Sequence, residues 1–204
     1  MVSSSCQNSY LWAGMGWVII DALDTMMLMN LTTEVARART WIETSLNWDQ
    51  DKEVSLFETT IRMLGGLLSA HYLSGNDDLY LEKAVDLADR LLGGFESPTG
   101  IPYASVNLKK RQGVKSHGDG GSSTTAEVST VQLEFKYLAK LTGETLYWEK
   151  VEKVMEVLEG INPQDGLVPI FVSPDTAQYT TQEIRLGSRG DSYYGTSSVN
   201  FNLY

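Results

Sequence analysis

The feature that most limits what this chain can fold into is an internal repeat. Leu73-Ser74-Gly75-Asn76-Asp77-Asp78-Leu79-Tyr80-Leu81-Glu82-Lys83 aligns with Leu141-Thr142-Gly143-Glu144-Thr145-Leu146-Tyr147-Trp148-Glu149-Lys150 across a single one-residue gap, so one supersecondary unit occurs twice. In each copy a helix stops at a glycine, Gly75 or Gly143, and a second helix starts within a few residues. That is the pattern of an antiparallel helix pair. The second helices read as Leu79 to Leu92 and Leu146 to Leu158, and each runs into a turn with glycine and proline, Gly100-Ile101-Pro102 or Gly166-Leu167-Val168-Pro169, that sends an extended segment onward. Upstream, Gly16 to Met29 followed by Thr33 to Leu46 reads as an earlier pair. Three hairpins with short connections and apolar first helices predict an all-α curved array or toroid, with the first helix of each pair on the inside.

One of those inner helices carries charges that an interior does not welcome. The stretch from Val54 to Ala70 is apolar nearly all round through Phe57, Ile61, Met63, Leu64, Leu67 and Leu68, yet places Glu58 and Arg62 four residues apart at its start. On a wet helix face such a pair adds a few tenths of a kcal/mol, roughly 0.2–0.5, and needs no further explanation. At the rim of an apolar core a carboxyl is pushed toward holding its proton, the setting of a proton donor, and a neighbouring guanidinium positions it or a ligand. If the inner helices run parallel, their starts converge on one face, and Asp21, Glu58 and Glu127 gather there. Thr124 with Glu127 also fits a capping box, so a purely structural role for Glu127 stays open.

Length and charge narrow the partners. With 204 residues the chain is one domain or part of a larger one. A net charge of -10 and no run of Lys or Arg exclude nucleic acid and anionic membrane surfaces as partners. The apolar run around Trp17 to Ile20 and Met26 to Met29 is broken by Asp21 and Asp24, too soon for a membrane span, and the N-terminus has no basic start followed by an apolar run. The single cysteine, Cys6, rules out an internal disulfide, and two histidines, one of them (His71) on an apolar helix, argue against a histidine metal centre. Asn30-Leu31-Thr32 fits the glycosylation acceptor pattern, which matters only in a secreted protein.

Two loops hold the remaining polar chemistry. Ser116 to Thr125 is rich in glycine and hydroxyls and leads into a helix, but has neither the Walker spacing nor a preceding apolar strand, so its content suits sugar contacts better than phosphate. Arg185 to Tyr194 has glycines that let the backbone turn around Arg189 and Asp191, and its paired tyrosines offer flat faces for a sugar ring. After Tyr194 the segment 195–204 reads as a tail without helix periodicity.

Taken together, Asp21-Ala22-Leu23-Asp24-Thr25, Phe57 to Arg62 with Leu64 to Ala70, Thr99 to Tyr103, Gln132-Leu133-Glu134-Phe135 and Gly187 to Tyr194 resemble, in this order, the class I α-1,2-mannosidases of glycoside hydrolase family 47, and within it the fungal endoplasmic-reticulum branch. The resemblance implies an (α/α)7 barrel that removes α-1,2-linked mannose from high-mannose N-glycans with inversion, depends on calcium, and works in the endoplasmic reticulum. By position, Glu58 matches the general acid, thought to act through a water, and Arg62 its neighbour. Asp191 matches a second catalytic carboxylate, Asp21 and Glu127 match acids lining the sugar pocket, and Arg189 matches the arginine that contacts the glycan and biases which branch is trimmed. The likeness covers 15–194. Residues 1–14 and the tail 195–204 do not match, and Gly195 stands where the family has a glutamate. The general base, the calcium-binding threonine, a disulfide and further helices lie in family sequence that this chain does not contain, so the resemblance implies a partial toroid without a metal ligand and without hydrolytic activity of its own. Glycan binding without hydrolysis is the rival function; a helical-repeat adaptor is a weaker one, since it has no use for Glu58 in an apolar helix.

Overall fold

The structure, a computed structural model, describes residues 14–161 and 166–200, with side chains up to Gly195. Cys6 and nearly all of the 1–14 segment lie outside the described residues. The first helical pair is more broken than the sequence predicts. Its inner member is split into α1 (Trp17–Asp21) and α2 (Leu23–Leu28) at Ala22 (φ -97°, ψ -4°), and α3 (Thr32–Thr44) follows as the outer member.

The second inner helix starts two residues later than its apolar pattern suggests. Val54 belongs to β1 (Glu53–Ser55), where it pairs with Val106, and helix begins at α4 (Leu56–Glu58) because the Ser55 hydroxyl accepts the Glu58 N–H at 3.2 Å. The run then widens into a π-helical stretch, Thr59–Leu64, before returning to α-helix in α5 (Gly65–Leu73). A π turn inserted in a helix commonly marks a functional position, because it shifts the side chains that follow out of the usual register. Gly66 is where α5 meets the end of α1: a Cβ there would come within 2.8 Å of the Ile20 carbonyl oxygen.

The repeat is realised as two hairpins of one kind. In the first, α5 closes on Gly75 (φ 77°) with the Asn76 N–H on the His71 carbonyl, and Asp77 caps α6 (Asp78–Leu91). A 3-10 turn, Leu92–Phe95, ends α6; a Cβ on Gly93 would run into the Arg111 carbonyl oxygen. Here the chain makes β2 (Ser105–Asn107) and β3 (Gln112–Val114), which with β1 form a small antiparallel sheet in the order β1-β2-β3. β4 (Ser123–Thr124) then leads into α7 (Thr125–Ser129), α8 (Gln132–Thr142) and α9 (Thr145–Gly160), where Gly143 (φ 76°) separates α8 from α9 as Gly75 separates the earlier pair. β5 (Phe171–Val172) returns to pair with β4.

The last element corrects the sequence reading. The segment after Tyr194 is not a tail from Gly195 onward: α10 (Asp191–Asn200) continues through it. Its Gly, Ser and Thr content carries no apolar stripe, and tertiary packing against α7 holds it instead.

The first helices pack side by side, α2 on α5 and α5 on α8, while α3, α6 and α9 each back their own partner. The result is an all-α partial toroid with two small sheets among its described residues. Between the layers lie Ile20, Leu23, Leu64, Leu67, Tyr80, Leu87, Phe135 and Val151, all at most 1 % exposed, each large apolar side chain contributing about 1.5–3 kcal/mol by burial. Phe95 meets Phe135 edge-on at 5.4 Å, and the Tyr147 hydroxyl donates to Asp89 at 2.6 Å, which ties α9 to α6.

Candidate active site

Glu58 is the third residue of a Ser-capped helix, the position from which a glutamate ordinarily reaches back to its own cap. Here the carboxylate is turned forward. Its Oε2 accepts a hydrogen bond from Arg62 Nε at 2.6 Å, and Arg62 Nη1 reaches Asp21 at the end of α1, 3.4 Å away. The guanidinium therefore bridges two carboxylates from different elements, one turn of helix and a chain reversal apart. The hydrogen bond and charge of Glu58, with a smaller contribution from Asp21, raise the Arg62 pKa further above its already high value. All three side chains keep water contact, with exposures of 36 % for Glu58 and 42 % for Arg62 and Asp21. The Glu58–Arg62 pair is thus an accessible rim feature rather than an enclosed one.

Glu127 repeats the same local design. Thr124 caps α7 and accepts the Glu127 N–H at 3.3 Å, so the capping box expected at this position forms at least on that side. Burial pushes the Glu127 carboxyl up from its ordinary range; Glu58 and Asp119 add to the rise through their negative charge, while the Thr124 hydrogen bond and Arg189 oppose it. Glu127 thus lies within electrostatic reach of Glu58 and of a charged pair on the loops, Asp119 and Arg189.

The second pair comes from the two polar segments. Arg189, in a left-handed conformation (φ 74°), reaches Asp119 at 3.5 Å and lies over the Phe171 ring, 5.0 Å from its centroid. Its own carbonyl accepts the Ala126 N–H at 3.0 Å, which fastens this loop to the start of α7. Gly190 is required beside it, since a Cβ would collide with the Arg185 carbonyl. Asp191 follows as the first residue of α10; one of its carboxylate oxygens accepts the Ser192 N–H at 2.9 Å, and its side chain is exposed. Asp191 is thus joined to the group through its element and not by a direct bond to Glu58, Glu127 or Asp21.

Of two carboxyls that sequence reasoning did not single out, Asp119 is joined to this group and Glu134 lies in a separate groove. Asp119 pairs with Arg189 and also accepts the Ser116 hydroxyl at 2.8 Å; its signal was its place in the Gly-rich loop. Glu134, within the Gln132 to Phe135 motif, lines an open groove of ≈ 610 Å³ between α5 and α8. Its Oε2 has no hydrogen-bond partner and burial pushes its carboxyl up. The signal for Glu134 was a carboxylate on the first helix of a hairpin, next to apolar Phe135. The paired tyrosines are half-buried and meet edge-on, 5.3 Å between ring centroids. Tyr193 packs against the core, and the Tyr194 hydroxyl accepts the Val168 N–H at 3.0 Å. Neither histidine joins the group: His71 is buried in α5, and His117 lies 3.0 Å from Glu53 on an exposed loop.

The sequence around these acids and arginines matches one protein family along nearly the whole chain. Residues 1–198 match the sequence profile of glycosyl hydrolase family 47. The chain belongs to this family. The matched span runs past 15–194 at both ends, across the first fourteen residues and beyond Gly195. Over 180 residues the chain is 62% identical to a mannosyl-oligosaccharide 1,2-alpha-mannosidase of Candida albicans, covering 88% of this chain and 32% of that protein. It is 53% identical over 199 residues to the endoplasmic reticulum mannosyl-oligosaccharide 1,2-alpha-mannosidase of Saccharomyces cerevisiae, covering 88% of this chain and 36% of the yeast protein. The solved alpha-1,2-mannosidase from Trichoderma reesei superposes with a TM-score of 0.75 at 29% identity, over 89% of this chain and 41% of its own. The chain thus spans about a third of the length of these curated family 47 relatives.

Proposed function

We propose that this chain forms one wall of an α-1,2-mannosidase site that removes α-1,2-linked mannose from high-mannose N-glycans in the endoplasmic reticulum. The observation that most supports this reading is the Arg62 bridge between Glu58 and Asp21, with Glu127 and Arg189 beside it, in a family 47 chain. Substrate class and compartment follow from the names of the yeast relatives.

In this reading Glu58 is the general acid. As the bond from the anomeric carbon to the leaving oxygen breaks, it passes its proton through a water to that oxygen, and Arg62 holds its carboxyl in one orientation meanwhile. Asp191 is the second carboxylate, and inversion requires it and Glu58 on opposite sides of the sugar, roughly 6.5–9.5 Å apart, with a water between. Asp21 and Glu127 bind mannose hydroxyls. Arg189, steadied by Asp119 and Phe171, contacts the glycan and biases the branch chosen.

The family resemblance implies calcium. Among the described residues no group of three or more His, Cys, Asp or Glu could hold a metal ion, and Glu58 and Asp21 are bridged by a guanidinium.

Two measurements test the reading. Purified chain is applied to an array of oligosaccharides: selective retention of α-1,2-mannose-terminated glycans is expected, and binding with no such preference would defeat the proposal. In a full-length family 47 domain that carries these residues, Arg189→Leu is expected to change the ratio of trimmed isomers more than the total rate, because it removes a glycan contact and not the proton donor. Unchanged isomer ratios would remove Arg189 from the specificity role.

A further inference from the structure

We propose that Asn30 is an N-glycan attachment site. Asn30-Leu31-Thr32 is the only Asn-X-Ser/Thr triplet in the 204 residues, and its middle residue is not proline. It forms the turn between α2 and α3, where every residue from Leu28 to Glu34 is exposed. The turn lies at the far end of α2 from Asp21, so a bulky polar chain attached there stays in water and clear of the acid group.

Local backbone geometry accounts for part of the triplet. The Leu31 N–H bonds the Met26 carbonyl at 2.9 Å and the Asn30 N–H bonds the Met27 carbonyl at 3.0 Å, with Asn30 at φ 56°, so Asn30 is the left-handed residue that closes a Schellman motif. Asparagine is the usual choice there after glycine. That geometry requires nothing of Thr32. It also leaves unexplained the apolar collar around the turn, where Leu28 is 74%, Met29 65% and Leu31 42% exposed. A glycan rooted at the centre of that collar covers it, which removes an aggregation-prone patch.

Attachment occurs on the unfolded or folding chain, so the folded structure decides whether the product is tolerated. Asn30 Nδ2 attacks the anomeric carbon of a polyprenyl-diphosphate-linked oligosaccharide. The N–C bond forms as the bond from that carbon to the diphosphate oxygen breaks, the lipid diphosphate leaves with the electron pair, and one Nδ2 proton passes to the transferase's base. The proposal rests on the secretory placement given above only for where the chain meets that donor.

The test is translation of the full 204-residue chain behind a cleavable leader with microsomes, scored only on protease-protected material. The expected result is a single mobility step that a glycan-releasing amidase removes, leaving Asn30 as aspartate by peptide mass. The step is lost in Asn30→Gln and in Thr32→Ala and kept in Thr32→Ser. Thr32→Ala leaves Asn30 and its turn intact, so its effect is not one of folding. Protected chain without the step, or a step that survives Thr32→Ala, overturns the proposal. Because the leader supplies entry and no mannose is measured, this outcome is separate from success or failure of the mannosidase reading.

Discussion

Glu58 and Glu127 occupy the same position in two helix starts, three residues after a hydroxyl cap, Ser55 in one and Thr124 in the other. An acid there complements the helix dipole at no special cost, which is why the position alone does not signify chemistry. What separates Glu58 is the forward turn of its carboxylate onto Arg62. In a full-length family 47 domain, Glu58→Gln is expected to lower turnover by about 10²–10⁴-fold while glycan affinity changes little, since shape is kept and the transferable proton is lost. Parallel measurement of kcat and of glycan binding checks this; equal losses in both would assign Glu58 to binding. Glu127 makes a different prediction. Its folded carboxyl holds the proton more tightly than in the unfolded chain, so its contribution to stability is greatest below the unfolded pKa and declines as pH rises through the raised folded value. Glu127→Gln is thus expected to raise the thermal midpoint at pH 7 relative to the parent and to leave it nearly unchanged at pH 4. A midpoint that falls at pH 7 would show that the charged form is held favourably after all.

The elements are joined by a few polar ties placed at helix ends. Asp77 is the most connected of them. It caps α6 through the Leu79 N–H at 3.1 Å and takes Arg39 of α3 in a fork, Nε at 2.6 Å and Nη2 at 3.2 Å. The Arg39 hydrogen bond is the main cause that holds the Asp77 carboxyl below its usual range. Asp77→Ala is expected to cost about 1–2 kcal/mol in chemical denaturation at neutral pH, mostly through the lost cap. The contribution is present above the unfolded carboxylate pKa and fades as pH falls through the folded one, so parent and variant converge in acid. Arg39→Ala, which leaves the cap in place, serves as the smaller-effect control.

At the scale of the molecule, some large apolar side chains stay uncovered: Tyr72 is 68% exposed and Leu186 76%, and the groove between α5 and α8 is open along Tyr72 and Leu133. Two-carboxylate hydrolysis needs groups on both sides of the scissile bond, and family resemblance places the base outside these residues. The 204-residue chain by itself is therefore expected to release no mannose from a high-mannose glycan, with or without calcium, above a Glu58→Gln control. Mannose release above that control would show that a working site lies within these residues.

The repeat, the glycine-terminated helices and the cap at Thr124 were legible because each is a local matter: Gly75, Gly143 and Thr124 act on backbone within a few residues of themselves. The same holds for the family motifs around Asp21, Glu58 and Arg189, each contiguous in sequence. Tertiary structure alone decided the rest. The strands are two or three residues long, too short for any periodicity, and exist only because Val54 finds Val106 and Ser123 finds Val172. α10 forms from a segment with no apolar stripe because α7 is there to pack on. Tyr193 and Tyr194 turned inward because the core and the Val168 N–H offered them better partners than water. The site itself is of this second kind. Asp21 and Arg62 are forty-one residues apart, Asp119 and Arg189 seventy, and charge pairs at such separations are set by how helices stack, which no local pattern of residues encodes.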